Sequence, residues 1–168
     1  RQGYRGAYSD TISMAEEVRK EFGLGVGVVL GPHPVAWEKQ IPELGIEASS
    51  ELHLEAVSLA LEYIDSGHAH CLGEVGRPHY PVEEEIWERA NDLLLEILSM
   101  ASTSGTSVQL HVEEKDERTY SELSKLCMSS GISSERAIRH FATPNVSADF
   151  TQGLSATVKV GKGSIETI

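Results

Sequence analysis

The sequence predicts an α/β fold, a TIM (β/α)8 barrel of which about five βα units are visible. Three observations carry that reading. Helical and strand-like stretches alternate, α-β-α-β-α-β-α-β-α-β, with strands about 30 to 45 residues apart, the pattern of parallel strands joined by crossover helices. Right-handed crossovers then set every helix on the outside. Three successive strands each end in a metal-competent side chain: Glu74 in Cys71-Leu72-Gly73-Glu74-Val75-Gly76, His111 after Val108-Gln109-Leu110, and His140 after Ala137-Ile138-Arg139. A doubly wound open sheet suits 168 residues better on length alone, but no GxGxxG follows a strand and no Walker-type phosphate loop is present.

Taken in order, residues 9–22 read as an amphipathic helix, with Ser9 or Asp10 as N-cap and Gly23 as the stop. Leu24–Leu30 is a short apolar run expected to be a strand buried on both faces. Gly31-Pro32-His33-Pro34 ends it, and a loop is expected to about Ser49, with Pro42 and Gly45 as breakers. A helix follows from Ser50 to Gly67, with His53 on its solvent face. The remaining elements are a strand over 69–75, a helix from Val82 to Ser102 with an acidic first turn suited to the helix dipole, and a strand over 107–112. Then come a helix over 117–130, a strand over 137–141, a helical turn near 145–150 and a last strand over 154–160. The whole, residues 1–168, is read as a single barrel domain.

The formal net charge of -12 opposes a polyanionic phosphate backbone, which disfavours nucleic-acid binding driven by charge. Cys71 and Cys127 lack CxxC spacing and read as free thiols in a reducing, cytoplasmic setting. No apolar run reaches the roughly 18 residues of a membrane span, and Arg1-Gln2-Gly3-Tyr4-Arg5 is not a signal peptide. The chain begins without methionine and stops just after Gly163-Ser164-Ile165-Glu166, an apparent helix start, so it is expected to be a piece of a longer protein. As an isolated five-stranded piece it would expose strand edges, so either self-association as a homo-oligomer or poor stability is expected.

Parallel neighbouring strands bring Glu74, His111 and His140 to one barrel mouth, the way barrel enzymes collect ligands for divalent metal. Imidazole nitrogen with carboxylate oxygen suits zinc, manganese, nickel or iron. Each residue also has a plainer reading: an ion pair with Arg77 for Glu74, and hydrogen-bonded structural histidines for the other two. His33, fixed between prolines at the same mouth, is a candidate to contact substrate, or else a turn histidine satisfied by backbone. His79 in Arg77-Pro78-His79-Tyr80 is equally open. His68 and His70 have HxH spacing but precede their strand, which places them at the opposite, stability-related end. Gly161-Lys162-Gly163-Ser164 is a weak candidate anion cradle.

At Gly31-Pro32-His33-Pro34, Gly73-Glu74-Val75-Gly76, Leu110-His111 and Arg139-His140-Phe141 the chain resembles TatD-like metal-dependent hydrolases, TIM barrels of the amidohydrolase superfamily, and most closely an archaeal branch of them. The corresponding family strands read GxHP, GEIGLD, xHxR and HxF. The resemblance implies two divalent metal ions (zinc, manganese, nickel or magnesium), with Glu74 as the catalytic, bridging carboxylate, His111 and His140 on the second ion, and His33 in the pocket. It also implies a first-strand HxH and a last-strand aspartate, which these 168 residues do not contain.

Two positions depart from the family pattern. Gly76-Arg77-Pro78 stands where the family has GLD, and Glu113 where it has an arginine suited to phosphate. Arg77, Glu113 and His33 are therefore the candidate substrate-binding residues, with Arg77 reaching over from its strand to hold an anion. The expected activity is metal-activated water attacking a phosphodiester, as in a DNase. The alternatives are amide, lactone or phosphotriester hydrolysis, or a non-catalytic degenerate barrel. The expected partners are a small-molecule or nucleic-acid substrate, and no membrane.

Overall fold

Five parallel strands, hydrogen-bonded in chain order, form the frame of the molecule; the computed structural model describes residues 2–114, 116–158 and 161. The strands are β1 (Val29–Leu30), β2 (Cys71–Gly76), β3 (Val108–His111), β4 (Ala137–Ala142) and β5 (Ser155–Val158). The helices are α1 (Gln2–Phe22), α2 (Pro34–Leu44), α3 (Ile46–Asp65), α4 (Glu84–Ser104), α5 (Asp116–Ser130) and α6 (Ala148–Thr151), with a 3₁₀ turn at Ser134–Arg136. A doubly wound sheet reverses its strand order at a switch point. This one does not: the order runs β1-β2-β3-β4-β5. Successive helices also pack on one another, α2 and α1 on α3, α3 on α4, α4 on α5 and α5 on α6. The result is an arc of the barrel predicted from the sequence, not closed among the described residues.

Burial follows the expected periods. On α4, Ala90, Leu93, Leu94, Ile97, Leu98 and Ala101 fall on one stripe at helical spacing and are all buried. Tyr8, Ile12 and Ala15 do the same on α1. In β3, Val108 and Leu110 are buried against the helices, while Gln109 and His111 are half-buried on the other face. In β4, Ala137 and Arg139 are buried, and Ile138 and His140 are half-buried. The alternation of a pleated strand thus turns the two strand histidines toward the inner face of the arc.

Four expectations are corrected. The first helix begins at Gln2, so Ser9 and Asp10 lie within α1 and do not cap it. The first strand spans only Val29–Leu30, not Leu24–Leu30. Gly25 and Gly27 weaken strand pairing and Leu24 is exposed, so ladder contacts begin only where Val28 meets His70. Residues 31–49 are not a loop: α2 starts at Pro34, and α3 starts at Ile46 instead of Ser50. Proline at the first helical position has no N–H to leave unpaired, so Pro34, expected only to end the strand before it, starts a helix. Pro42 sits in the last stretch of α2, and Gly45 ends it at φ 82°. His53 is not on the solvent face of α3 but 1% exposed, in the buried stripe with Ser49, Ala56, Val57 and Ala60. Lys159 and Val160 of the last strand and residues 162–166 of the anion cradle and helix start lie outside the described residues. Among the described residues, no helix is long and apolar enough to cross a membrane.

Candidate metal centre

Glu74 is delivered by an irregularity in β2. Leu72 pairs with Val108 and Val75 with Leu110, so three residues of β2 span what two residues of β3 span. Such a bulge re-aims a side chain beside a site. Glycine on both sides of Glu74 permits the close approach. A Cβ on Gly73 would meet the Gln109 Cβ at 2.7 Å, and one on Gly76 would fall onto the His111 carbonyl.

The two oxygens of Glu74 face different imidazoles. Oε2 lies 3.0 Å from His111 Nδ1 and 3.6 Å from His33 Nε2, while Oε1 lies 3.0 Å from His140 Nε2. Ligand atoms of His33, Glu74 and His111 fall within 4.8 Å of one another, a spacing that can hold a metal ion. The far nitrogens are held in turn. His140 Nδ1 lies 2.9 Å from Thr157 Oγ1 and 3.1 Å from Gln109 Nε2, and His111 Nε2 lies 2.8 Å from His79 Nδ1. Partners of this kind set tautomer and ring orientation in metal sites. Gln109 Nε2 and Thr157 Oγ1 thus fix the His140 ring with its Nε2 facing Glu74.

His33 differs from the other two. It caps α2, its Nδ1 accepting from the Val35 N–H at 3.2 Å. When the ring is neutral, its proton is therefore on Nε2, and that N–H points to Glu74. Burial lowers the pKa of His33, reinforced by His111 and opposed by Glu74. Burial also lowers that of His111, opposed by its bond to Glu74. Burial thus favours the neutral form of both rings, the form in which an imidazole nitrogen can bind metal. A carboxylate between imidazoles is a donor set that fits a borderline divalent ion.

The structure brings Glu74, His111, His140 and His33 together; it does not bring Arg77 or Glu113 to them as free groups. Arg77, 1% exposed, turns to the helix side, where its Nε donates to Glu113 Oε2 at 2.8 Å and its Nη2 to Glu113 Oε1. It also donates to Glu122 and Asn91, and its guanidinium stacks on Trp87, 4.6 Å from the ring centre. The anion-holding position foreseen for Arg77 is filled by this network, and so is the ion pair foreseen between Arg77 and Glu74. Glu113 spends both oxygens on the same guanidinium.

The sequence reading left His79 open and passed over Gln109 and Thr157. His79 follows β2 at the same end as Glu74, and Gln109 shares the inner face with His111 two residues on. Strand order and alternation could therefore have found both. Nothing local marks Thr157. His68 and His70 lie at the other end, as expected: His70 Nδ1 accepts from the Val28 N–H, and His68 Nδ1 lies 2.9 Å from Ser66 Oγ.

Fold and site together define a class: an α/β barrel arc with a His/Glu cluster able to hold metal at the C-terminal strand ends. Within it, the chain matches the family model described as TatD related DNase over residues 6–160, and it belongs to that family. It is similar to the uncharacterized protein MJ1127 of Methanocaldococcus jannaschii, 29% identical over 122 residues that cover 72% of this chain and 42% of that protein. The aligned part thus spans under half the length of that relative. No solved structure matches the chain.

Proposed function

We propose that these residues form part of the active site of a divalent-metal-dependent hydrolase. The observation that supports this best is the two-sided Glu74 carboxylate, with imidazole nitrogens at 3.0 Å on each oxygen. Glu74, His111 and His140 are the residues that would hold metal, with Glu74 the carboxylate set between the two imidazoles. When bound, divalent ions supply an acidified water and positive charge for the oxygen that gains charge as the bond breaks. The chain's own groups do the rest. Thr157 and Gln109 orient His140, and His79 orients His111. The His33 Nε2–H is a fixed donor at the mouth, able to hold a substrate oxygen.

The family description points to a phosphodiester as substrate. A specific observation favours the second reading, an amide, lactone or phosphotriester: the Arg77 guanidinium is locked onto Glu113 and Glu122, so Arg77 offers no charge to a phosphate.

Metal per chain, measured by elemental mass spectrometry on the protein and on Glu74→Ala, tests the proposal. Bound transition metal in the parent, lost in the variant with the circular dichroism spectrum unchanged, is the expected result. Equal metal in both proteins, or none in the parent after supplying zinc, manganese and nickel, overturns it.

A further inference from the structure

Beside the cluster lies a cavity of about 420 Å3, between the loop that follows β2 and the loop that follows β3. Its walls are Pro78, Tyr80, Val82 and Trp87, and Glu84 and Glu114 stand at its rim. Small-molecule sites span roughly 300–1,000 Å3 and combine apolar walls with a few polar groups. The cavity also shares a wall with the catalytic mouth. His79 and Glu114 line both it and the 270 Å3 cavity that holds His111 and His140. A molecule seated in this cavity therefore lies against His79, whose Nδ1 is 2.8 Å from His111 Nε2.

We propose that this cavity binds the non-reacting part of the substrate and selects an apolar group without negative charge. Among the described residues, its lining includes Glu84, Glu113 and Glu114 and no lysine or arginine. Glu113 is neutralised by Arg77, but Glu84 and Glu114 are exposed carboxylates that a phosphate entering the cavity would approach. Repulsion between like charges in a partly enclosed site rejects such a ligand. Arg77 does not compensate, because it lies on Trp87 with its donors taken by Glu113, Glu122 and Asn91. An aromatic ring or short alkyl chain gains contact with Tyr80, Val82 and Trp87 instead. That the occupant is a substrate rests on the hydrolase reading; that the cavity holds it does not.

Three probes with the same ring, benzyl alcohol, benzylamine and phenyl phosphate, test this by ligand-detected NMR on the protein as purified and again after chelation. The alcohol and the amine are expected to bind at least about tenfold more tightly than the phosphate in the chelated protein. Val82→Trp, which fills the cavity, should abolish binding of all three. Glu84→Lys, an exposed change that spares the fold, should raise affinity for phenyl phosphate and lower it for benzylamine. Phosphate binding as tight as alcohol binding after chelation overturns the proposal, as does binding that ignores both substitutions. If the cavity discriminates as expected but the protein takes up no metal, the hydrolase reading fails and the binding site stands.

Discussion

His53 offers a direct test of the buried face of α3. Its side chain is 1% exposed, and among the described residues no hydrogen-bond partner reaches either ring nitrogen. Burial, with a smaller contribution from the charge of His33, lowers its pKa to about 4 from the ordinary 6.5. The unfolded chain takes up a proton near the ordinary value and the folded chain only near the lowered one, so stability is lost as pH falls between them. Each pKa unit corresponds to about 1.4 kcal/mol, so a shift of this size removes about 3 kcal/mol once pH is below both values, and about 2.5 kcal/mol between about pH 7 and about pH 4.5. The perturbation is His53→Leu, which keeps the volume and removes the titration. Urea unfolding of both proteins at the two pH values gives a double difference in which every other titrating group cancels. The parent should lose about 2.5 kcal/mol more than the variant on acidification. Equal acid sensitivity in the two proteins would refute the reasoning and place His53 in contact with water.

Other expectations follow from the strand ends. Gly76→Ala should cost about 3 kcal/mol or more, because the new methyl falls on the His111 carbonyl of the neighbouring strand and the strands must part. A urea midpoint close to that of the parent would show that the backbone yields without strain. Glu113→Gln leaves Arg77 short of its buried counter-charge and should cost about 3 kcal/mol, while replacing Arg77 and Glu113 together by methionine should recover most of it. A single substitution that is nearly neutral by urea unfolding would mean that the pair does not hold the two strands together.

How much was legible depends on whether a signal was local. The strands holding Glu74, His111 and His140 could be read because an apolar run ending in one polar residue is a pattern within a few positions. Their neighbour relation followed from the alternation of elements, and the structure places both histidines on the one carboxylate of Glu74. The α2 helix was hidden because Pro34 and Pro42 stop helices in most contexts but open one when the first falls at the first helical position. His53 was misplaced because one histidine in an apolar stripe reads as the polar edge of that stripe. The partners of Arg77 were invisible for a different reason. Glu113 and Glu122 lie 36 and 45 residues away, and only the parallel pairing of β2 with β3 and the packing of α5 bring them within reach. Thr157 meets His140 across a strand pair that no spacing rule predicts.

The Arg77–Glu113 pair also bears on how a substitution at either position is to be read. Position 77 follows the glycines of β2, position 113 lies two beyond the histidine of β3, and two hydrogen bonds join them across the adjacent strands. A change at one alone would bury an unmatched charge. The two positions therefore act as one unit, and neither side chain can be read for substrate preference apart from its companion.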